Sequence, residues 1–347
     1  VTNGTKSGFT GSGASYSLTV TPTAQGVVTV NVAGATALDT ASNNNSASTQ
    51  FSVTFDSVQP GVSMSSAATD PANATPISVS VAFTESVTGF TSGDVVVTNA
   101  VLGGFAGSGA SYSFNLTPSG QGLVTASIGA GLAQDGAGNT NTAAVQFSRT
   151  FDNVQPSVAI SSSLTSPTST SPVPITFTFS ESVSGFANSD VTVTNGTKTG
   201  FAGSGASYSV TVTPTAEGLV TVNVGAGLAQ DVALNTNTAA TQFSITFDGS
   251  APTPVLSSAA PTVTNTTPIP VTVEFGESVS GFGLSAVEVT NATKGNFAGS
   301  ASTYTFDLTP IGQGAVTASI PAGSATDASG NTNNASTIFS RTFDSTQ

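Results

Sequence analysis

Carboxylates are the side chains of this sequence whose type and spacing could do chemistry. Of the eighteen acidic residues, thirteen fall into four series in which each member follows the last by 96 residues. The series are Asp39, Asp135, Asp231 and Asp327; Asp56, Asp152, Asp248 and Asp344; Glu85, Glu181 and Glu277; and Asp94 with Asp190. Aspartate and glutamate oxygens are ligands that Ca²⁺ prefers. If the fold brings the series together, the sequence predicts calcium sites that recur along the chain.

The elements that position these acids belong to a gapless internal repeat. Thr-Phe-Asp ends at Asp56, Asp152, Asp248 and Asp344, and Tyr16, Tyr112, Tyr208 and Tyr304 follow the same step of 96 residues. Units of this length are large enough to fold as separate domains. We expect an incomplete repeat over residues 1–58 and complete repeats over 59–154, 155–250 and 251–347. Because Val1 aligns with the mid-repeat Val97, we favour a window cut from a longer chain over strand donation by another chain.

The pattern within a repeat is that of β-strands. Residues 77–83, 112–116 and 49–55 alternate apolar with small or polar side chains, which is the period of a half-buried strand. Shorter runs near 62–65, 94–99 and 123–128 bring the number of strands to about seven, and clusters such as Gly-Ser-Gly at 107–109 separate them. About seven short strands predict an all-β fold of tandem immunoglobulin-like β-sandwiches that forms an elongated rod.

Phenylalanine defines the expected core. Eighteen of the 21 phenylalanines occupy five positions of the repeat, represented by Phe83, Phe90, Phe105, Phe147 and Phe151 in the first complete copy. Burial of each ring stabilises the fold by roughly 1.5–3 kcal/mol. We therefore interpret these rings as core residues rather than as a ligand cage.

Strand direction predicts which acids meet. If the strands are lettered A to G, the B–C and F–G loops lie at the pole where the linker from the preceding repeat enters. Each junction then gathers a linker aspartate and the acids of these two loops. The three predicted groups are Asp56, Glu85, Asp94, Asp135 and Asn139; Asp152, Glu181, Asp190, Asp231 and Asn235; and Asp248, Glu277 and Asp327 with Asn331.

Calcium and turn chemistry are both open interpretations of these groups. Converging carboxylates without a basic neighbour repel one another, and one Ca²⁺ per junction would remove that repulsion and stiffen the rod. In the alternative, Asp-x-x-Gly-Asn is a tight turn in which Asp and Asn bond their own backbone, and Glu85 is a solvated loop residue.

Several motifs carry a resemblance to a known family. They are Phe-Ser-Glu-Ser-Val-Ser-Gly-Phe at 179–186, Asp-Val-Thr-Val-Thr-Asn-Gly-Thr at 190–197, Asp-Gly-Ala-Gly-Asn-Thr-Asn at 135–141, and Thr-Phe-Asp-x-x-x-Pro. Together they resemble the bacterial immunoglobulin-like repeats of large secreted adhesins and biofilm-associated surface proteins. The resemblance implies extracellular spacer or extender modules whose partners are neighbouring repeats of the same chain.

Composition excludes several classes of function. The sequence has no Cys and no His, which removes cysteine and histidine catalysis and most zinc sites. Five basic against eighteen acidic residues leave no surface for nucleic acid or anionic membrane. Paired carboxylates could serve glycoside hydrolysis, but an enzyme seldom repeats a weak site in every module. We expect a non-enzymatic protein without membrane insertion.

The function predicted from the sequence is a structural stalk of a bacterial surface adhesin or fibre. Two rival hypotheses stay open. In one, the repeats associate laterally into an extracellular filament or sheath, because their Ser-, Thr-, Ala- and Gly-rich surfaces permit close packing. In the other, polar loops at one pole bind a glycan or protein partner. The second hypothesis draws on the A–B connection at residues 66–75, the stretch that varies most between copies.

Overall fold

The computed structural model describes residues 1–346 and is built from β-strands and three single-turn 3-10 helices. The chain divides into two compact units, one formed by Val1–Val154 and the other beginning at Gln155. Within the described residues, no helix has the length and apolar character needed to cross a membrane. The all-β prediction is confirmed, and three tandem Ig-like domains follow one another along the chain.

The first stretch of the chain forms two two-stranded antiparallel sheets. The strands are β1 (Gly4–Ser12), β2 (Ser15–Pro22), β3 (Gly26–Val30) and β4 (Phe51–Phe55), with β1 paired to β2 and β3 paired to β4. The rings of Phe9 and Tyr16 stack with centroids 5.6 Å apart and are 70% and 58% exposed. The prediction that every phenylalanine column is core is therefore wrong for Phe9, and likewise for Phe51 and Phe55, which are 63% and 36% exposed. The two-stranded sheets of this stretch include no counterpart of Phe90, on which Phe105 packs in the first complete repeat.

The first complete repeat is a sandwich of two three-stranded sheets. Its elements are β5 (Val62–Ser65), β6 (Ile77–Val87), a 3-10 helix (Ser92–Asp94), β7 (Val95–Thr98), β8 (Ala100–Pro118), β9 (Gly122–Ile128) and β10 (Phe147–Phe151). One sheet has the order β5-β6-β8 and the other β10-β9-β7. β6 pairs with β8, while β7, which lies between them in the chain, joins β9 and β10 in the other sheet. This is the arrangement of an Ig-like sandwich.

The next two repeats follow the same plan, and the last has four-stranded rather than three-stranded sheets. The second complete repeat contains β11 (Val158–Ser161), β12 (Val173–Val183), a 3-10 helix (Asn188–Asp190), β13 (Val191–Thr194), β14 (Gly196–Pro214), β15 (Gly218–Val224) and β16 (Phe243–Phe247). The third contains β17 (Val255–Ser257), β18 (Val263–Thr264), β19 (Ile269–Glu274), a 3-10 helix (Leu284–Ala286), β20 (Glu288–Thr290), β21 (Ala292–Ser300), β22 (Thr303–Pro310), β23 (Gly314–Ser319) and β24 (Phe339–Phe343). Their sheet orders are β11-β12-β14 and β13-β15-β16, then β17-β19-β22-β21 and β18-β24-β23-β20.

The period-two pattern of β6 places its apolar side chains in the core. Ile77, Val79, Val81 and Phe83 are buried, while the intervening residues are exposed. Phe83 and Phe90 meet at nearly a right angle with centroids 5.2 Å apart, a geometry that aromatic pairs favour. The Phe83 and Phe90 positions are buried in all three complete repeats, and each repeat has its own apolar cluster.

The Gly-Ser-Gly segment at 107–109 lies where the chain folds back within β8, and the corresponding segments separate β1 from β2 and β21 from β22. Strand β8 runs through it, and a register shift marks the irregularity where β8 pairs with β6. Gly107 has φ of +125°, and a Cβ there would lie 2.3 Å from the carbonyl oxygen of Ser111. Only glycine fits such a position, so the glycine marks the turn between the two arms of a hairpin, as the sequence predicted.

The connection that varies most between repeats is anchored along the sandwich edge. In the first complete repeat, Ala72 N donates to Thr150 O at 2.8 Å, and Thr150 N donates to Asp70 Oδ1 at 2.8 Å. Arg149 Nε donates to Ala68 O at 3.3 Å. Residues 66–75 are therefore tied to the last strand at several points rather than projecting as a free loop.

Candidate metal centre

One acid of each group lies in the F–G loop, the connection between the last two strands of a repeat, and a buried asparagine organises that loop. Asn141 is 0% exposed, and its Oδ1 accepts the N–H groups of Leu132 and Ala133, both at 2.8 Å. Its Nδ2 donates to Gly129 O at 2.9 Å and to Thr142 O at 2.7 Å. Asn45, Asn237 and Asn333 hold the corresponding loops.

Asp135, the acid of the same loop, makes a tight turn with Asn139. Asp135 Oδ1 accepts from Ala137 N at 2.8 Å and from Asn139 N at 2.9 Å, and its Oδ2 accepts from Asn139 Nδ2 at 2.8 Å. These bonds, the Asn139 side chain first, lower the pKa of Asp135. Asp39, Asp231 and Asp327 make corresponding bonds with Asn43, Asn235 and Asn331. The turn chemistry expected by the alternative interpretation is therefore present, and Oδ2 still retains lone-pair capacity.

The first unit brings three carboxylates together. Asp56 follows strand β4, Glu85 lies near the end of β6, and Asp135 lies in the F–G loop. One oxygen of each lies within 4.8 Å of the other two. Burial raises the pKa of Glu85, and the negative charges of Asp56 and Asp135 raise it further. The charged form of Glu85 is thus disfavoured by its surroundings when no cation is present.

The second unit contains a corresponding group. Asp248, Glu277 and Asp327 each offer an oxygen within 4.8 Å of the others. Burial again raises the pKa of Glu277 first, followed by the charges of Asp248 and Asp327. Ser329 adds a hydroxyl to this group, because its Oγ donates to Asp248 Oδ2 at 3.0 Å.

The remaining sequence-predicted residues differ in placement. Asp152 belongs to the first unit and Glu181 and Asp231 to the second, and a metal site for this group stays a prediction. Asp94 does not join the first group: its Oδ2 accepts the N–H and Oγ–H of Thr91 and so closes a 3-10 turn.

Asp190 and the asparagines also serve local structure. Asp190 accepts the N–H of Ala187 at 2.8 Å, in the same turn as Asp94. Asn139 and Asn235 direct their Nδ2 groups toward Asp135 and Asp231. These Nδ2 groups hold the turn, and a metal-ligand role for the two asparagines stays a prediction.

The spacing of the carboxylates fits a hard cation. Ca²⁺ binds oxygens at about 2.3–2.6 Å, so two of its ligands lie at most about 4.6–5.2 Å apart. The 4.8 Å limit within each group meets this condition. Basic side chains bond carbonyls elsewhere: Lys198 contacts Asn188 O and Val191 O, and Arg341 donates to Ala260 O. The groups offer three anionic ligands, leaving further positions for backbone oxygens or water.

Comparison with known proteins identifies the repeat. The model of the bacterial Ig-like domain family matches residues 56–150, 152–247 and 248–343. A search of curated protein sequences finds no match.

Three solved structures match this chain at low sequence identity. Invasin, a bacterial integrin-binding protein, is 13% identical, and the match covers 76% of this chain and 56% of invasin with a TM-score of 0.34. The I9-I11 tandem of titin is 10% identical over 82% of this chain and 96% of its own, with a TM-score of 0.23. The S-layer protein rSbsC(31-844) is 15% identical over 84% of this chain and 55% of its own, with a TM-score of 0.20. The chain thus spans little more than half the length of invasin.

Proposed function

Because the chain belongs to the bacterial Ig-like domain family, we propose that it is a structural stalk segment of a bacterial surface adhesin or fibre, stiffened by Ca²⁺ where its repeats join. The family is non-enzymatic, so the role of the chain is mechanical. Each repeat adds length, and the junctions determine how freely successive repeats bend. An extracellular location accords with this role, since extracellular fluid supplies the millimolar Ca²⁺ that weak sites require.

One observation carries the proposal: a carboxylate from the linker meets two carboxylates from the repeat that follows. Asp248 comes directly after the last strand of one repeat, whereas Glu277 and Asp327 belong to the next. A cation bound by all three would cross-link the linker to the domain. Asp56 with Glu85 and Asp135 repeats the arrangement in the first unit. A site that spans a junction restricts its bending in a way that a site inside one domain cannot.

The electrostatics of the group support cation binding. Burial, followed by repulsion from the two neighbouring carboxylates, raises the pKa of Glu85 and of Glu277. A bound divalent cation would instead lower the pKa of these carboxyl groups, because each ionised oxygen then faces a positive charge. Mg²⁺ demands an octahedral site at about 2.0–2.1 Å and holds its waters more tightly than Ca²⁺. Three carboxylates with further positions left for backbone oxygens or water favour Ca²⁺, which takes six to eight oxygens, over Mg²⁺.

Calorimetric titration of the full chain with CaCl2 tests the proposal. We expect heat of binding with a stoichiometry of two ions per chain for the Asp56 and Asp248 groups, or three if the predicted Asp152 group also binds. A Glu85→Gln, Glu277→Gln double variant should lose two ions while its circular dichroism spectrum stays that of a β-protein. An absence of binding, or equal stoichiometry in the variant, would contradict the calcium part of the proposal. The exposed Glu288→Gln variant serves as the matched control.

A further inference from the structure

Backbone hydrogen bonds of the second complete repeat hold the linker residue that leads to the last repeat. In the second complete repeat, the segment at Thr168 runs parallel to the end of β16. Thr168 N donates to Thr246 O at 2.9 Å, and Asp248 N donates to Thr168 O at 3.0 Å. Asp248 is therefore held by the sheet of the repeat that it leaves, although its side chain faces the repeat that follows.

The F–G loop of the next repeat contacts this sheet end directly. Asn331 Nδ2 donates to Asp248 O at 2.8 Å, and Ser329 Oγ donates to Asp248 Oδ2 at 3.0 Å. Ser169 N donates to Ser329 O at 3.1 Å, which joins the backbones of the two repeats. The contacts involve two separate segments of the earlier repeat, one at Asp248 and one at Ser169. Two attachment points fix an orientation, whereas the linker alone would act as a hinge.

The loop is organised by its own residues before it makes these contacts. Asp327 Oδ1 accepts from Ser329 N and Asn331 N, both at 2.8 Å. Asn331 Nδ2 donates to Asp327 Oδ2 at 2.9 Å and so uses one amide hydrogen inside the loop and the other across the junction. A preorganised loop loses little conformational freedom on docking.

We infer that residues 327–331 form a docking element for the preceding repeat and that Ser329 and Asn331 fix the orientation of the two repeats without a cation. The partner that fits this loop is the C-terminal end of an Ig-like repeat. That end presents a linker aspartate, with its carbonyl and carboxylate as acceptors, and a backbone N–H such as that of Ser169.

Sequence differences between repeats determine the strength of this contact. The positions that correspond to Ser329 are Ala137 and Ala233, which have no hydroxyl to donate. In the first unit the bond from Asn139 Nδ2 to Asp56 O is also longer, at 3.3 Å. Ser329 is therefore the residue that specifies the stronger docking of the last repeat.

Distance measurement between two spin labels tests this inference in the full chain. The sequence has no cysteine, so Thr178→Cys and Thr305→Cys provide unique labelling sites on exposed positions of β12 and β22. Double electron–electron resonance is recorded in EDTA, which keeps the result independent of calcium. We expect a narrow distance distribution for the labelled chain. Replacing both Ser329 and Asn331 with Ala should make it at least roughly twofold wider, since small interfaces otherwise permit domain motion.

Two further variants separate docking from misfolding. Ser329→Ala alone introduces the residue found at positions 137 and 233, so it is compatible with the loop, and it should broaden the distribution to a smaller extent. Ser324→Ala removes a hydroxyl of the same loop that bonds only Pro321 O at 2.7 Å, and should leave the width unchanged. A broad distribution in the parent chain, an unchanged width in the double variant, or equal broadening by Ser324→Ala overturns the inference. Failure of calcium binding leaves it intact.

Discussion

Glu277 and Asp248 place carboxylate oxygens within 4.8 Å of each other, although one belongs to an Ig-like repeat and the other to the linker that precedes it. Asp327 completes the group. Burial and the two neighbouring charges raise the pKa of Glu277, so the junction resists full ionisation when no cation is bound. The direction in which substitution of Glu277, calcium and pH change the stability of the chain can therefore be predicted.

The effect of Glu277→Gln on the unfolding midpoint should change sign when calcium is added. In EDTA, removal of the charge relieves repulsion by Asp248 and Asp327, and the midpoint of thermal unfolding should rise. In millimolar Ca²⁺ the variant has lost an anionic ligand, and its midpoint should fall below that of the parent chain. Scanning calorimetry of the full chain under both conditions measures the two signs. A shift of the same sign in both conditions would show that Glu277 does not bind the ion.

Stability without calcium should depend on pH through Glu85 and Glu277. Both have a pKa raised above 4.5 in the folded state, so their protonated forms favour folding. The stabilisation is full below about pH 4.5 and is lost as pH rises through the folded pKa. The unfolding midpoint of a Glu85→Gln, Glu277→Gln variant in EDTA should equal that of the parent near pH 4 and exceed it near pH 7. A difference that does not grow with pH would contradict the assigned cause.

Replacement of the buried loop asparagine should destabilise its repeat. Asn333 is buried, and its Oδ1 accepts from Ala325 N while its Nδ2 donates to Pro321 O and Asn334 O. Asn333→Ala leaves these backbone groups unpaired, and we expect a loss of about 2–4 kcal/mol in the free energy of unfolding of that repeat. Urea unfolding measures the loss. The exposed Asn188→Ala variant should change the free energy of unfolding of its own repeat by less than about 0.5 kcal/mol. Equal effects of the two variants would refute the structural role assigned to Asn333.

The sequence correctly predicted the positions of the strands and which face of β6 is buried. Alternation in residues 77–83 predicted the buried side of β6, because a strand places successive side chains on opposite faces. Strand direction predicted that loop acids and a linker aspartate approach one pole, and the structure brings Asp56, Glu85 and Asp135 together. Their role as metal ligands stays a prediction.

The repeat pattern of the sequence did not predict which side chains are used in local hydrogen bonds. Asp94 shared the step of 96 residues with the other acids, yet its carboxylate is used by Thr91 in a 3-10 turn. Asn141 also recurs at that step, and a search for recurring asparagines would have found it, although its burial follows only from the path of the loop. Ser329 could not be identified as a contact residue, because its partners Asp248 and Ser169 come from a different domain.

Arg341 should tolerate isoleucine better than lysine. Its guanidinium lies 4.5 Å from the ring centroid of Phe339, and it donates to Ala260 O at 2.9 Å and Ser258 O at 3.3 Å. Lysine lacks the planar fork that makes these bonds together, and we expect Arg341→Lys to lose about 1–3 kcal/mol of unfolding free energy. Isoleucine occurs at the corresponding position 245, where it is buried. Urea unfolding of both variants checks the order, and a lysine variant as stable as the parent would contradict it.

The most direct test of calcium-stiffened junctions is thermal unfolding of the full chain in EDTA and in millimolar Ca²⁺. Binding to the folded state alone adds about 2.7 kcal/mol at a hundredfold excess over Kd, which corresponds to roughly 10–20 °C for a domain of about 100 residues. The account predicts a rise of this order in Ca²⁺ that is clearly smaller in the Glu85→Gln, Glu277→Gln variant, which keeps only the predicted Asp152 group. An unfolding midpoint that is the same in EDTA and in Ca²⁺ would contradict it, and the carboxylate groups would then be turn structure alone.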